Sequence, residues 1–334
     1  MESKYAASHV KPRGPGDARP TALQIIEDEN QKGNLKGKVV FITGCSSGLG
    51  IETARALKAT GATIYVTARN LDKARTALGD ILDEHQVVLL KLDLESLESV
   101  RSCASEFKAR SNVLNILINN AGVRITPPGK TKDGFETQWG TNHVAHFLLF
   151  ELLKPTLLES STPGFHSRVV AVSSTAHRTA HIDFADLNME SRGYDGVVAY
   201  GQSKLANVYM ALEIERRYGP QGLHAWSVHP GGIRTGLQRP NLYDVVVVLK
   251  SGPLSTLRLM QNAAQGASTT VWAAVARELE GTGGKYLERC QISRPAARGH
   301  KPTDPGYAPW AYDEVAARRL YDVSLGLVGL PTQM

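Results

Sequence analysis

Val39-Val-Phe-Ile42-Thr43-Gly44-Cys-Ser-Ser-Gly48-Leu-Gly50 runs from a β-branched apolar stretch into a glycine-rich turn, and a helical pattern from Ile51 to Thr60 follows it. A strand that ends in such a turn and restarts as a helix is the context a dinucleotide-binding motif requires. Glycine at 44 and 48 permits a tight turn and a close backbone approach to a pyrophosphate. Ser46, Ser47, Leu49 and Gly50 open the helix, whose N-terminal N–H groups and positive dipole end favour an anion. The spacing is Gly-x3-Gly-x-Gly, not the Gly-x-Gly-x2-Gly of larger dehydrogenases.

Outward from this stretch the chain alternates. Apolar Ala62 to Val66, helical Leu71 to Glu84 and apolar Gln86 to Leu92 come next, then a helix near 96–110, a strand at Leu114 to Ile118 and a long helix from Gly134 to Leu158. A strand at Arg168 to Val172, a helix from Gly196 to Tyr218 and a strand at His224 to Val228 continue the series. Gly232 to Gln261 reads as irregular, and a helix near Ala263 to Leu279 and a strand at Lys285 to Leu287 close the pattern. Repeated β-α-β units with β-branched strands predict one doubly wound α/β domain, a Rossmann-type parallel sheet of about seven strands flanked by helices. Residues 1–36, punctuated by Pro12, Pro15 and Pro20, read as an N-terminal arm with a helical turn or two at Ala22 to Asp28; 37–290 is the domain, and 291–334 a C-terminal extension.

Composition narrows the classes of function. A chain of 334 residues that is 42% apolar and 21% charged is an ordinary globular protein. The formal charge of +6 is spread without a basic run, which argues against nucleic-acid binding. Cys45, Cys103 and Cys290 have neither metal-ligand spacing nor a disulfide framework, so a reducing compartment and no metal are expected. The longest apolar run, Val245 to Leu249, is far short of the ~20 residues needed to cross a bilayer. No secretory h-region precedes Asp17, and the cytoplasm is the expected location.

Two further sites carry chemistry. Where the second strand ends, an NAD-binding protein would place a carboxylate for the ribose 2′-OH. This chain reads Thr67-Ala68-Arg69-Asn70, and Arg69 can instead fork onto a 2′-phosphate, which favours NADP(H). Downstream, Tyr200 and Lys204 fall at i and i+4 of one helix, on one face about 5–6 Å apart. An ammonium there would favour ionisation of a phenol that otherwise titrates near pH ~10.

Thr43-Gly-x3-Gly-x-Gly50, Asp93 in Leu-Asp-Leu, Asn119-Asn-Ala-Gly122, Asn142, Ser174, Tyr200-x3-Lys204 and Pro230-Gly231 together resemble the short-chain dehydrogenases/reductases over residues 37–290. The wording Thr141-Asn-His-Val-Ala-His-Phe-Leu148 and His229-Pro-Gly-Gly232 resembles the branch that holds retinol dehydrogenases and their fungal and plant relatives. The resemblance implies an oxidoreductase interconverting a carbonyl and an alcohol on a lipophilic small molecule such as a retinoid, steroid or polyketide-like metabolite. Tyr200 would be the general acid or base, Lys204 would hold the nicotinamide ribose, and Ser174, the second of the serine pair, would bond the substrate oxygen. Asn142 would hold a helix distortion and a proton-relaying water. Asp93 would approach the adenine, Asn120, Ala121 and Gly122 would pass along the adenosine ribose, and Pro230, Gly231, Ile233 and Thr235 would contact the nicotinamide. Asn119 would tie adjacent strands together. The helices of Asn142 and Tyr200 would pair across a two-fold axis in a homodimer, and 236–261, with Leu242 and Tyr243 in its apolar middle, would form a substrate lid. A contrasting expectation is a scaffold that binds NADPH and turns over little.

Overall fold

The computed structural model describes residues 3–83, 85–191, 193–233 and 242–332, and of residues 242–246 the backbone alone. In chain order the elements are α1 (Ala22–Asp28), β1 (Val39–Ile42), α2 (Leu49–Lys58), β2 (Thr63–Ala68), α3 (Leu71–Leu78), β3 (Val87–Lys91), α4 (Leu97–Arg110) and β4 (Ile116–Asn119). Then come α5 (Thr137–Trp139), a π-helical turn (Gly140–Val144), α6 (Ala145–Glu159), β5 (Ser167–Val172), α7 (Gly196–Tyr218) and β6 (Leu223–His229). The chain ends with α8 (Leu242–Ser251), α9 (Pro253–Leu259), α10 (Ala263–Gly266), α11 (Ser268–Val275), β7 (Lys285–Glu288), β8 (Gln291–Ile292) and α12 (Glu314–Leu327).

The strands form one sheet of eight in the order β3-β2-β1-β4-β5-β6-β7-β8, parallel except for the β7–β8 hairpin. Strands covered by helices on both faces need no polar alternation, which is why Val39–Ile42 and Ile116–Asn119 are buried throughout. One core lies between the sheet and α4, α6, α7 and α12, around Trp139, Phe147 and Tyr321; the other, around Ile25, Trp226 and Trp272, is covered by α1, α2 and α11. Strand order reverses between β1 and β4, so a crevice opens there beyond the carboxyl ends of the strands.

Three features of the structure bear on function. The stretch read as irregular contains α8 and α9, separated at Gly252, whose φ of +86° breaks the helical path. The arm lies on the domain: α1 packs on α11, and buried Arg19 donates to the carbonyls of Gly14 (3.1 Å), Leu259 (2.8 Å) and Met260 (2.6 Å). The third concerns α12, which lies along α7 and reaches α6. The Tyr321 hydroxyl bonds Glu151 and lies 3.2 Å from that of Tyr218, Arg217 pairs with Asp322 at 3.2 Å, and His143 Nε2 meets Ser324 at 2.9 Å. The chain's own α12 therefore covers one side of α7 and touches α6 through Tyr321. Light scattering at micromolar concentration tests the expected homodimer: a species near the chain mass of 36.2 kDa would refute it. Among the described residues no helix is long and apolar enough to cross a membrane.

Candidate active site

The glycine turn is built by close approach of β1 and β4. Gly44 has φ +77°, and a Cβ on it would fall 2.7 Å from the Cβ of Ala121. One on Gly50 would fall 2.3 Å from the Gly44 carbonyl oxygen. Thr43 holds the two strand ends together: its Oγ1 accepts the N–H groups of Asn120 and Ala121, both at 2.9 Å, and meets His146 Nε2 at 2.9 Å. Asn120 Nδ2 donates to the Thr43 carbonyl at 2.8 Å. Asn120 thus does the tying expected of Asn119, whose buried side-chain amide has no hydrogen-bond partner among the described residues. Ser46, Ser47, Gly48 and Leu49 line the cleft at the start of α2, so backbone N–H groups and the helix dipole face it, while Gly50 supports the turn from behind. Cys45 does not share that electrostatic benefit. Burial pushes its thiol up to about 12, and it fills space.

At the adenosine end Arg69 projects two-thirds exposed and pairs with Glu95 at 2.5 Å. Asp93 lines the same end and accepts from Lys132 at 3.1 Å, and Lys73, not singled out from sequence, joins them. The carboxylate absent from the end of β2 is thus supplied by Glu95, beyond β3, which sequence spacing alone does not reveal.

The reacting end lies where β5 stops and α7 passes. Ser173 turns inward and donates to the Lys204 carbonyl at 2.8 Å, whereas Ser174 lines the cleft and caps a short 3₁₀ turn by accepting the Ala176 N–H. The Ser174 carbonyl accepts from His177 Nδ1 at 2.6 Å, and His177 Nε2 accepts the Ala308 N–H at 3.0 Å, which assigns the Nδ1–H tautomer and links the C-terminal extension to the serine. Asp195 caps α7 through the N–H groups of Val197 and Val198. One turn on, Tyr200 lines the cleft at 7% exposure, and Lys204 Nζ lies 5.6 Å from its ring centroid. Nζ donates to the Val172 carbonyl at 3.0 Å, and burial lowers the ammonium to about 8.

Asn142 sits in the π-helical turn, the extra residue of which redirects the helix. Its Oδ1 accepts the Val123 N–H at 2.8 Å, and its Nδ2 donates to the Val123 carbonyl and to Ser203 Oγ, each at 3.0 Å. It stands behind Gly122 and out of the cleft: a Cβ on Gly122 would meet Asn142 Oδ1 at 3.0 Å and Lys204 Nζ at 3.5 Å.

The whole cleft holds about 930 Å³ and runs continuously from Arg69 past the glycine turn to Ser174 and Tyr200. Pro230, Gly231 and Ile233 form its wall after β6, while Thr235 lies outside the described residues. From the expected lid, Val247, Val248, Thr256, Leu259 and Met260 face the cleft, and Leu249, Leu254 and Leu257 face solvent. Residues 236–241 and the side chains of Leu242 and Tyr243 lie outside the description. Sequence reasoning missed the far rim altogether: His9, Pro12 and Arg19 from the arm, Arg289 from the β7–β8 turn, and Pro302 and Thr303 from the extension. None belongs to a periodic pattern, and Arg289-Cys290 is not one of the residue pairs that signal a two-residue hairpin turn.

The residues fit a dinucleotide, because the positions where a Cβ would close the cradle are glycines and the helix N-terminus faces the same space. Among the described residues no cluster of three metal-ligating side chains occurs. A family model described as short chain dehydrogenase matches residues 38–244. The chain is 46% identical over 327 residues to Short-chain dehydrogenase/reductase prx1 of Penicillium roqueforti, covering 98% of this chain and 95% of that protein. It is 39% identical over 301 residues to human Retinol dehydrogenase 12, covering 89% and 88%. The crystal structure of a putative uncharacterized protein from Mycobacterium paratuberculosis superposes with a TM-score of 0.68 at 34% identity, over 90% of this chain and 96% of that one.

Proposed function

Because the chain belongs to the short-chain dehydrogenase family, we propose that it is an NADP(H)-dependent oxidoreductase that interconverts a carbonyl and an alcohol on a lipophilic small molecule. The observation that carries this reading is the convergence of Ser174, Tyr200 and Lys204 on one cleft with the glycine turn. NADPH, when bound, supplies the hydride. Ser174 Oγ donates to the substrate oxygen and fixes it near the Tyr200 hydroxyl, which delivers the proton as that oxygen gains charge. The Lys204 ammonium stabilises the phenolate left behind, and Asn142, by holding Val123 and Ser203, keeps Gly122 and Lys204 in place beside it. The wall of Val247, Val248, Leu259 and Met260 suits an apolar substrate body, and the relative named for retinol acts, by that name, on a lipophilic alcohol. The test is loss of reduced-nicotinamide absorbance across a panel of aldehydes and ketones. NADPH binding without consumption on any of them would make the chain a nucleotide-binding scaffold.

Arg69 sets the choice of nucleotide. Its pair with Glu95 is exposed, and such pairs contribute about 0–1 kcal/mol, less than a doubly charged 2′-phosphate can offer the same guanidinium. Lys73 adds a second cation. NADPH should therefore bind at least about ten-fold tighter than NADH, about 1.4 kcal/mol. Arg69→Ala should erase most of that difference in calorimetric titrations, and equal affinities in the unaltered protein would overturn the assignment.

A further inference from the structure

The β7–β8 hairpin turns through only two residues, Arg289 and Cys290, with φ of +55° and +52°. Two successive left-handed residues make a type I′ turn, which Asn-Gly fits and which strains side chains bearing a full Cβ. Cys290 is locked in place: its N–H donates to Thr269 Oγ1 at 3.1 Å, and its sulfur contacts Ser268 Oγ at 3.4 Å in the interior. The turn is thus anchored to α11, and Arg289 is held facing the cleft. Half-buried there, its guanidinium has no hydrogen-bond or ion-pair partner among the described residues. Glu288 and Asp304 attract its charge, but neither bonds it directly. Glu288 accepts from Ser293 Oγ at 2.5 Å and from the Gly306 N–H at 2.6 Å, and Asp304 accepts the Lys301 N–H at 2.8 Å.

A second group shares this rim. His9, on the arm, is buried, lines the cleft, and its Nε2 has no hydrogen-bond partner among the described residues. A partly desolvated cation beside a buried, unpartnered ring nitrogen is costly unless a ligand completes both. The strand order locates that ligand. β7 lies three places beyond β4 and four beyond β1, and two beyond β5, after which Ser174 stands, so the Arg289 turn lies on the Ser174 side of the crevice between β1 and β4.

We infer that Arg289, with His9, receives an anionic group of the substrate, so that the carbonyl compound is a lipophilic acid whose carboxylate the guanidinium forks while Tyr200 addresses the carbonyl. This deepens the oxidoreductase reading and rests on it for the carbonyl half alone. A planar guanidinium suits a carboxylate bidentately, and His9 Nε2 can supply a further donor. The strained turn is then a stability cost retained for function.

The test separates the two readings by measuring binding and turnover independently. In calorimetric titration of the protein saturated with NADP⁺, 4-methylbenzoate should bind at least about ten-fold tighter than 4-methylbenzamide. Arg289→Met should remove that preference, and Arg289→Asn, which relieves the turn and should raise Tm, should remove it too. NADPH affinity should be unchanged in both variants. In NADPH turnover, 4-formylbenzoate should exceed its methyl ester in kcat/KM by a similar factor, lost in both variants. Equal binding of acid and amide to the unaltered protein, or a preference that survives Arg289→Asn, would overturn the inference. An unchanged acid preference in binding with no carbonyl consumed would sink the oxidoreductase reading and leave the anion site standing.

Discussion

Tyr200→Phe is expected to lower kcat by at least about a hundredfold, within the 10²–10⁴ that a positioned general acid contributes, while NADPH affinity stays within about three-fold. The large effect follows from the absence of a substitute among the described residues. His177 is the nearest imidazole to Ser174, but its Nδ1–H is committed to the Ser174 carbonyl and its Nε2 to the Ala308 N–H, and burial holds it down to about 4. His229 is held down to about 3 by burial. Tyr286, packed against His177, is pushed well above the ordinary phenol range by the same cause and donates no proton at neutral pH. Ser174 can hold an oxygen but cannot ionise usefully. Steady-state NADPH consumption on the best carbonyl of the panel checks the outcome, and a Phe variant retaining more than a tenth of kcat would require another acid.

The order of helix and strand was legible because parallel strands buried on both faces are plain apolar runs. Tyr200 and Lys204 were legible for a related reason: a four-residue spacing on a helix is a statement about distance. The π-helical turn around Asn142 leaves no mark on hydrophobic spacing, so its geometry was expected only through resemblance. α8 escaped notice because Val245 to Val248 are β-branched and carry a weaker helical preference, which tertiary context overrides. Nor could local reasoning find the rim of the cleft. Arg19 bonds carbonyls about 240 positions away, and Arg289 faces the cleft because Cys290 is tied to α11. Contacts of that sequence separation have no periodic signature. The packing of α12 along α7 is of the same kind: nothing in the spacing of α7 announces it.

Lys204→Met should make the cofactor-free protein more stable at pH 7 while destroying its activity and weakening NADPH binding. Lys204 is almost wholly buried, and desolvation lowers its ammonium from 10.5 to about 8. A lysine whose folded pKa is depressed resists folding while it is charged in both states. That cost is present in full below pH 8, shrinks as pH rises from about 8 towards 10.5, and is gone above, because in that window the unfolded chain binds more protons than the native one. The shift corresponds to about 3 kcal/mol at most. Methionine keeps the length of the side chain and removes the charge. Its introduction leaves no orphaned acceptor, since the Val172 carbonyl also accepts from Asn207 Nδ2 at 3.1 Å. Thermal unfolding of the apo protein at pH 7 should therefore show Tm raised by several degrees, and the gap between variant and unaltered protein should close as pH climbs through 8 towards 10.5. A variant less stable at pH 7, or a gap independent of pH, would mean that Lys204 is not held charged in a dry site. With NADPH bound the ranking should reverse, because the same ammonium that opposes folding would hold the ribose and steady the Tyr200 phenolate.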